Sequence, residues 1–330
     1  MRPVLLVLLV AYHAFAPYVG SWDKPDGIDD FELYRWIGLL SRAFRLEGFV
    51  FISGYIFTFQ IVGRHKFDSF SQLLKSKAER LLIPCFFFST IYLLAFKDYN
   101  SASVFAEKVM GGAGHLWYLF CLFWCFVIHY LILRKDNPKV VLPILITAMF
   151  FSIARLPLNL NRILYYILFF YGGGFFWKNS QKIAIYATRK NIIGSWLLFI
   201  IVFVIANILI ARISEHYNQE DNFLLRGCSL EAKTLLKAIL GWSGIWALYL
   251  SAVRYCQKHE VSDMIINLGT CGYGVYVFHQ FILKYLYLYT ELPAISGTLC
   301  MPWIAFIITI IVSLIMTMML RKTALGKRYL

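Results

Sequence analysis

The chain alternates between long apolar stretches and short polar clusters. Ten apolar stretches of about 15 to 25 residues stand out, the length of helix that crosses a hydrocarbon core of about 30 Å. They lie at about 3–19, 46–62, 81–96, 115–133, 140–157, 163–177, 193–211, 232–250, 264–288 and 302–320. This pattern predicts ten transmembrane helices.

The composition points to lipid as the solvent for most of the chain. Of the 330 residues, 60% are hydrophobic and 15% are charged, whereas a soluble domain has about 45–50% apolar and about 25% charged residues. No linker or repeat divides the sequence, so we predict one all-α transmembrane domain over residues 1–330. The seven cysteines lie mostly inside apolar stretches without zinc-site spacing, and we expect packing roles and no metal site.

The charged residues between the stretches predict the orientation. With the N-terminus in the cytoplasm, the cytoplasmic segments are rich in Lys and Arg, and the opposite segments collect acidic residues, as the positive-inside rule requires. The basic segments are Arg2, 63–80, 134–139, 178–190, 254–258 and 321–328, and the opposite acidic residues include Asp23, Asp26, Glu32, Glu215, Glu220 and Asp221. Both termini are therefore predicted to be cytoplasmic. The net charge of +14 is explained by this bias, and we set nucleic-acid binding aside.

Residues 2–16 allow a second interpretation as a short signal peptide, because Arg2 precedes an apolar run that ends in small residues. Cleavage would leave nine spans and place the termini on opposite sides. Tyr12 and His13 inside the apolar run are unusual for such a signal, and we favour a first transmembrane helix.

Ionisable residues inside a span cost about 2.5 to 3.5 kcal/mol each, so they mark cavities or chemistry. His13 follows Arg2 by 11 positions, which turns a helix by about 1100°, leaves about 20° of offset and rises about 16 Å. Both side chains are thus predicted to face one groove, Arg2 at the cytoplasmic rim and His13 near the midplane. Histidine exchanges protons and arginine binds phosphate, although a packing histidine and a topology-setting arginine would show the same spacing.

Three further charged residues, Arg42, Arg45 and Glu47, precede the apolar segment 48–54. At membrane depth they must pair with each other or with a bound anion. If residues 36–46 instead lie along the interface, both arginines meet lipid headgroups, and the sequence leaves these alternatives open.

Five motifs in order resemble the acyltransferase 3 family of membrane acyltransferases. They are Arg2 with His13, the segment FVFISGYIF at 49–57, Arg80 with Pro84 in ERLLIP, HLWYL at His115–Leu119, and GYGVYVFH at Gly272–His279. Each string alone is common in membrane helices, but five in order on a pattern of ten spans are specific. The resemblance covers residues 2–279.

The resemblance implies an enzyme that transfers an acyl group, commonly acetyl, from cytoplasmic acyl-CoA to a hydroxyl of a cell-surface polysaccharide or lipid-linked glycan. It implies a bacterial inner membrane as the location, and acyl-CoA as donor substrate without a permanently bound cofactor. The sequence departs from the family pattern in two places. Family members usually begin with a further stretch before the first helix, which leaves the natural start of this chain open, and Arg45 and Glu47 replace a histidine and a proline.

From this resemblance we expect His13 to be catalytic, as general base or acyl carrier. Glu47 is also expected to be catalytic, by orienting or charging a neighbouring group, but this role belongs to the present sequence and not to the family pattern. Arg2, Arg80 and Arg45 are expected to bind the phosphates of acyl-CoA. The residues expected to bind the acceptor are His115, Trp117, Tyr276 and His279. Structural alternatives remain, because Trp117 suits an interfacial aromatic belt and His279 suits a bond to a neighbouring helix.

A functional alternative also remains: a multi-span permease that exports a glycan or lipid-linked sugar without covalent chemistry. Such transporters often contain internal repeats, and the two halves of this sequence show none that is convincing. The run Gly172–Gly174 has no P-loop lysine after it, so we expect it to permit close helix packing.

Overall fold

The structure is a computed structural model that describes residues 1–67, 69–134, 137–217, 222–324 and 326. The described residues form fourteen α-helices and no β-strand, which confirms the all-α prediction. The helices are α1 (Arg2–Ala14), α2 (Glu32–Arg42), α3 (Arg45–Thr58), α4 (Phe70–Lys77), α5 (Ile83–Phe96), α6 (Ala102–Gly111), α7 (Trp117–Leu133), α8 (Pro138–Phe150), α9 (Leu160–Lys178), α10 (Ser180–Ala184), α11 (Arg189–Tyr217), α12 (Phe223–Lys258), α13 (Asp263–Leu288) and α14 (Leu292–Leu320).

Each predicted apolar stretch coincides with a helix, and six helical segments of the described residues are long and apolar enough to cross a bilayer. These segments are Glu32–Gly63, Phe70–Phe96, Gly114–Leu133, Arg189–Tyr217, Leu224–Lys258 and Leu292–Leu320. Two shorter apolar helical segments, Arg2–Ala14 and Pro138–Ile153, accompany them. The count of ten spans stays a prediction. Five residues of the predicted charge bias lie outside the described residues, namely Lys135, Glu220, Asp221, Lys327 and Arg328.

The chain forms two compact units, which we call unit 1 (Met1–Leu46 and Lys258–Leu330) and unit 2 (Glu47–Gln257). Unit 1 contains α1, α2, α13 and α14, and unit 2 contains α4 to α11 with most of α3 and α12. In unit 1, α1 packs against α2, α13 and α14, and α13 packs against α14. Its first and last segments, far apart in sequence, thus share one core.

Local sequence explains how α1 begins and ends. Pro3 lies in its first turn, where the missing N–H is not needed for a helical hydrogen bond. A short 3-10 helix, Ala16–Val19, continues the chain and ends at Gly20 with a φ of 66°, a left-handed conformation that glycine adopts without steric cost. The helix therefore stops just after His13, and this places the histidine in its last turn.

Helices α3 and α9 of unit 2 cross closely. A Cβ atom on Gly54 would collide with the backbone carbonyl of Phe170, and one on Gly173 would collide with that of Phe51. Small residues let helix backbones approach in this way. The expectation that the glycine run of α9 permits close helix packing is therefore confirmed.

Candidate functional site

His13 lies at the centre of unit 1, with only 6% of its surface exposed. Its Nδ1 atom is 2.9 Å from the carbonyl oxygen of Leu9, one turn earlier in α1, and 3.1 Å from Nε2 of His279 in α13. His279 is fully buried, and its Nδ1 atom is 2.6 Å from the carbonyl oxygen of Tyr276. Two imidazoles predicted from separate motifs thus form one hydrogen-bonded pair.

The hydrogen-bond partners determine the tautomers of this pair. Carbonyl oxygens only accept, so Nδ1–H of His13 donates to Leu9 and Nδ1–H of His279 donates to Tyr276. In a neutral imidazole, Nε2 then has no proton and can accept a hydrogen bond. The single Nδ1–H of His13 is therefore shared between two acceptors, the carbonyl of Leu9 and Nε2 of His279. Nε2 of His13 is therefore the ring atom with the lone pair for a proton.

Aromatic rings contact His13, and a buried cation contacts one of these rings. Tyr12 meets its ring edge-on at a centroid distance of 4.8 Å, and the ring of Trp22 lies at 5.8 Å. The guanidinium carbon of Arg45 lies 3.8 Å from the centroid of the Tyr12 ring, a cation–π contact. The same tyrosine ring thus contacts both the histidine and a buried positive charge.

Arg42 and Arg45, whose locations the sequence left open, differ in their exposure. Arg42 is the last residue of α2 and is exposed, whereas Arg45 is the first residue of α3 and only 5% exposed. Arg2, at the start of α1, is also exposed. One continuous helix carries both Arg2 and His13, as their spacing predicts.

Glu47 lies in unit 2, where it is 8% exposed. The hydroxyl of Tyr165 in α9 donates a hydrogen bond of 3.2 Å to its Oε1 atom. A Cβ atom at Gly241 in α12 would lie 3.0 Å from Cγ of Glu47, so the glycine leaves room for the carboxylate. Three helices therefore hold this acidic side chain in a fixed place.

The basic segment before α5 also belongs to unit 2. Nζ of Lys77 lies 3.9 Å from the ring centroid of Phe126 and 5.2 Å from that of Phe57. Arg80 is exposed and lies in a π-helical turn, Ala78–Leu82. π-Helical turns are rare in proteins, and those that occur are often found at functional sites.

His115 and Trp117 lie in unit 2 at the start of α7. His115 is 5% exposed, and its ring lies 6.1 Å from that of Tyr92. Trp117 is half-buried, and the guanidinium carbon of Arg162 in α9 lies 3.9 Å from its ring centroid.

The predicted site residues therefore divide between the two units. Unit 1 holds Arg2, His13, Arg45, Tyr276 and His279, and unit 2 holds Glu47, Arg80, His115 and Trp117. The structure brings His13, His279 and the carbonyl of Tyr276 together. Sequence reasoning missed Tyr12, Tyr165 and Arg162 as partners of site residues, and only their positions beside or inside the predicted helices could have indicated them.

The model of the acyltransferase 3 family, described as an acyltransferase domain, matches residues 1–321 of the 330-residue chain. No curated protein and no solved structure gave a significant match. The family match covers nearly the whole chain, including the imidazole pair and every predicted site residue. The chain belongs to the acyltransferase 3 family of membrane acyltransferases.

Proposed function

We propose that the protein transfers an acyl group, in particular acetyl, from acyl-CoA to a hydroxyl of a cell-surface polysaccharide or lipid-linked glycan. The observation that carries the proposal is the buried hydrogen-bonded pair of His13 and His279. An imidazole whose Nδ1–H is held by two acceptors is oriented to take a proton at Nε2, which is how a general base works. A general base of this kind suits transfer of an acyl group to a hydroxyl, and acetyl and a cell-envelope glycan are the donor group and acceptor that the family resemblance implies.

The acceptor hydroxyl oxygen attacks the thioester carbonyl carbon while its proton passes to Nε2 of His13. The carbon–sulfur bond then breaks, and the proton passes from His13 to the thiolate, which releases an O-acyl glycan and CoA. The carbonyl of Leu9 and Nε2 of His279 accept hydrogen bonds from His13 throughout, so they stabilise the imidazolium that forms transiently.

Arginines on the cytoplasmic side are proposed to bind the donor. Arg2 and Arg80 have exposed side chains, which suits them to bind CoA phosphates from water. Arg45 was expected to share this role, but its burial against Tyr12 favours a position beside the histidine pair. We therefore assign the phosphates to Arg2 and Arg80 and a positive charge near the reacting groups to Arg45.

Three further residues are proposed to serve the acceptor. Glu47 is held by Tyr165 and can orient a hydroxyl or balance a charge, and His115 and Trp117 are proposed to line the acceptor site. Tyr276 contributes its carbonyl to His279, so we place His279 behind His13 and not in contact with the acceptor.

The chain is a multi-pass membrane protein, and we propose ten spans with both termini in the cytoplasm of a bacterium. The six long apolar segments and the basic clusters between them support this arrangement. Acyl-CoA would then reach Arg2 and Arg80 from the cytoplasm.

The test is transfer of radiolabelled acetyl from acetyl-CoA to a host glycan extract in membranes that contain the intact protein or the His13→Ala variant at equal levels. We expect His13→Ala to lower the rate by about 10² to 10⁴, the usual contribution of a general base. The His216→Ala variant is the matched control, because His216 is an exposed histidine in α11, and it should retain full activity.

A fully active His13→Ala protein would remove His13 from the mechanism. If no label moves with the intact protein, but export of the glycan depends on it, the permease alternative replaces the enzymatic proposal.

A further inference from the structure

Arg162 is a charged residue in the first turn of α9 that the proposed chemistry does not use. Its guanidinium carbon lies 3.9 Å from the ring centroid of Trp117, and the ring of Tyr166, one turn later in α9, lies 5.8 Å from the same indole. Within the described part of the chain, Arg162 has no hydrogen bond or ion pair. Stacking on an aromatic face leaves the N–H donors at the edge of a guanidinium available for an anion.

The backbone before α9 holds this arginine in place under strain. Leu158 and Asn159 have φ values of 54° and 60°, a left-handed conformation that asparagine tolerates but that leucine rarely adopts. The amide nitrogen Nδ2 of Asn159 donates a hydrogen bond of 3.4 Å to the carbonyl of Gly111, and a Cβ at Gly111 would lie only 3.1 Å from Cα of Leu158. The start of α9 is thus fixed against the segment that leads into His115 and Trp117.

Strained backbone that the surrounding structure maintains is concentrated at binding and catalytic sites. An arginine that only anchors a helix in the headgroup layer needs no such strain, because any position near the helix end serves. The turn at 158–159 therefore favours a placed binding group.

We propose that Arg162, stacked on Trp117, binds the carboxylate of an acidic sugar in the acceptor glycan. This inference rests on the proposed function, since it names the class of acceptor. A guanidinium holds a carboxylate through two parallel hydrogen bonds in one plane, so a sugar ring that carries a carboxylate can lie beside the indole of Trp117.

The test uses two soluble probes with one backbone: cellotetraose and the tetrasaccharide in which every C6 is oxidised to a carboxylate. Both are titrated onto the full-length protein in phosphatidylcholine nanodiscs, without acyl-CoA. The intact protein should bind the acidic probe about tenfold more tightly, as a charge-assisted hydrogen bond predicts. Arg162→Gln should remove this preference and leave the affinity for cellotetraose unchanged.

Two further variants show whether the effect belongs to this guanidinium. Arg155→Gln removes an exposed positive charge from the same connection between α8 and α9, and it should keep the full preference. Arg162→Lys keeps the charge but not the bidentate geometry, and it should keep only part of the preference. Equal affinities of the intact protein for both probes, or binding of neither probe, would overturn the inference.

A lipid phosphate is the other source of an anion for this arginine, and native mass spectrometry of bound phosphatidylglycerol tests it. Loss of one bound lipid in Arg162→Gln, together with an unchanged sugar preference, would assign Arg162 to a headgroup and overturn the inference. The probes need no acyl transfer, so the two proposals can fail separately. A sugar preference without any acetyl transfer would remove the enzymatic proposal alone, and acetyl transfer with equal probe affinities would remove this one alone.

Discussion

Helices α1 and α13 of unit 1 meet through two imidazoles, whereas helices α3 and α9 of unit 2 meet through glycines. In unit 1, side chains bond to groups far away in sequence: His13 to His279, and the hydroxyls of Tyr18 and Tyr34 to the carbonyls of Thr298 and Leu299 at 2.7 and 2.6 Å. In unit 2, Gly54 and Gly173 bring two backbones into contact. The α1–α13 junction of unit 1 thus depends on polar side chains, whereas the α3–α9 crossing of unit 2 depends on glycines, with the hydrogen bond from Tyr165 to Glu47 beside them.

We call the contact of α1 and α13 through His13 and His279 the polar junction, and that of α3 and α9 through Gly54 and Gly173 the glycine junction. The two junctions should respond differently to mutation. A hydrogen bond between helices contributes about 1 kcal/mol or less, and its loss leaves the neighbouring bonds intact. A glycine at a backbone crossing cannot be replaced without moving a whole helix, because protein interiors are close-packed. Single substitutions should therefore cost little stability in the polar junction of unit 1 and much in the glycine junction of unit 2.

The largest effect is expected for Gly173→Ala. The new methyl group would overlap the carbonyl oxygen of Phe51, so α3 and α9 must separate, which we expect to lower the free energy of unfolding by about 3 kcal/mol. Unfolding of the purified protein in a titration with sodium dodecyl sulfate measures this change in the free energy of unfolding.

Gly194→Ala is the matched control, because Gly194 is also helical and nothing lies within 4 Å of its added Cβ. There the ordinary preference of a helix for alanine applies, and the free energy of unfolding should rise by up to about 1 kcal/mol. A stabilising effect at Gly173 as well would show that the crossing is looser than the structure indicates and would remove the contrast between the units.

The polar junction should affect catalysis more than stability. His279→Ala removes one of the two acceptors that orient His13, while the carbonyl of Leu9 remains. We expect kcat for acetyl transfer to fall about tenfold, equivalent to about 1.4 kcal/mol in the barrier. KM for acetyl-CoA should not change, because His279 acts by positioning His13 and does not contact the donor.

His279→Gln supplies a side-chain oxygen that can accept from Nδ1–H of His13, and it should restore part of kcat. If both variants lose kcat equally and KM rises in both, His279 has only a packing role. The His216→Ala protein again gives the reference rate.

The positions of the helices could be predicted from the sequence because the patterns that indicate a helix are local. The 11-residue spacing of Arg2 and His13 required one continuous helix, and α1 provides it. The partner of His13 could not be predicted in the same way, since His279 lies 266 positions away and no local pattern connects two helices so distant. The motif that contains His279 indicated its importance but not its hydrogen bond.

Positions at helix ends were the least predictable. Arg42 and Arg45 are three positions apart, but α2 ends at the first and α3 begins at the second, so one is exposed and the other buried. The left-handed turn at Leu158 and Asn159 lets α9 begin at Leu160 and brings Arg162 over Trp117. Asparagine tolerates such a conformation, but leucine rarely adopts it, so the sequence did not predict the turn.

The smallest effect is expected for Tyr287→Phe in unit 1. The hydroxyl of Tyr287 donates a hydrogen bond to the carbonyl of Ala14, next to His13 in α1, and the ring is 6% exposed. The substitution keeps the packing of the ring and removes one hydrogen bond between α13 and α1. The free energy of unfolding should therefore fall by about 0.5 to 1 kcal/mol. Tyr285→Phe is the control, because Tyr285 is 58% exposed, and it should change nothing measurable in the same titration with sodium dodecyl sulfate. A loss at Tyr287 as large as that at Gly173 would mean that the polar junction of unit 1 fails as a whole when one hydrogen bond is removed, and that the two junctions do not differ in their response to mutation.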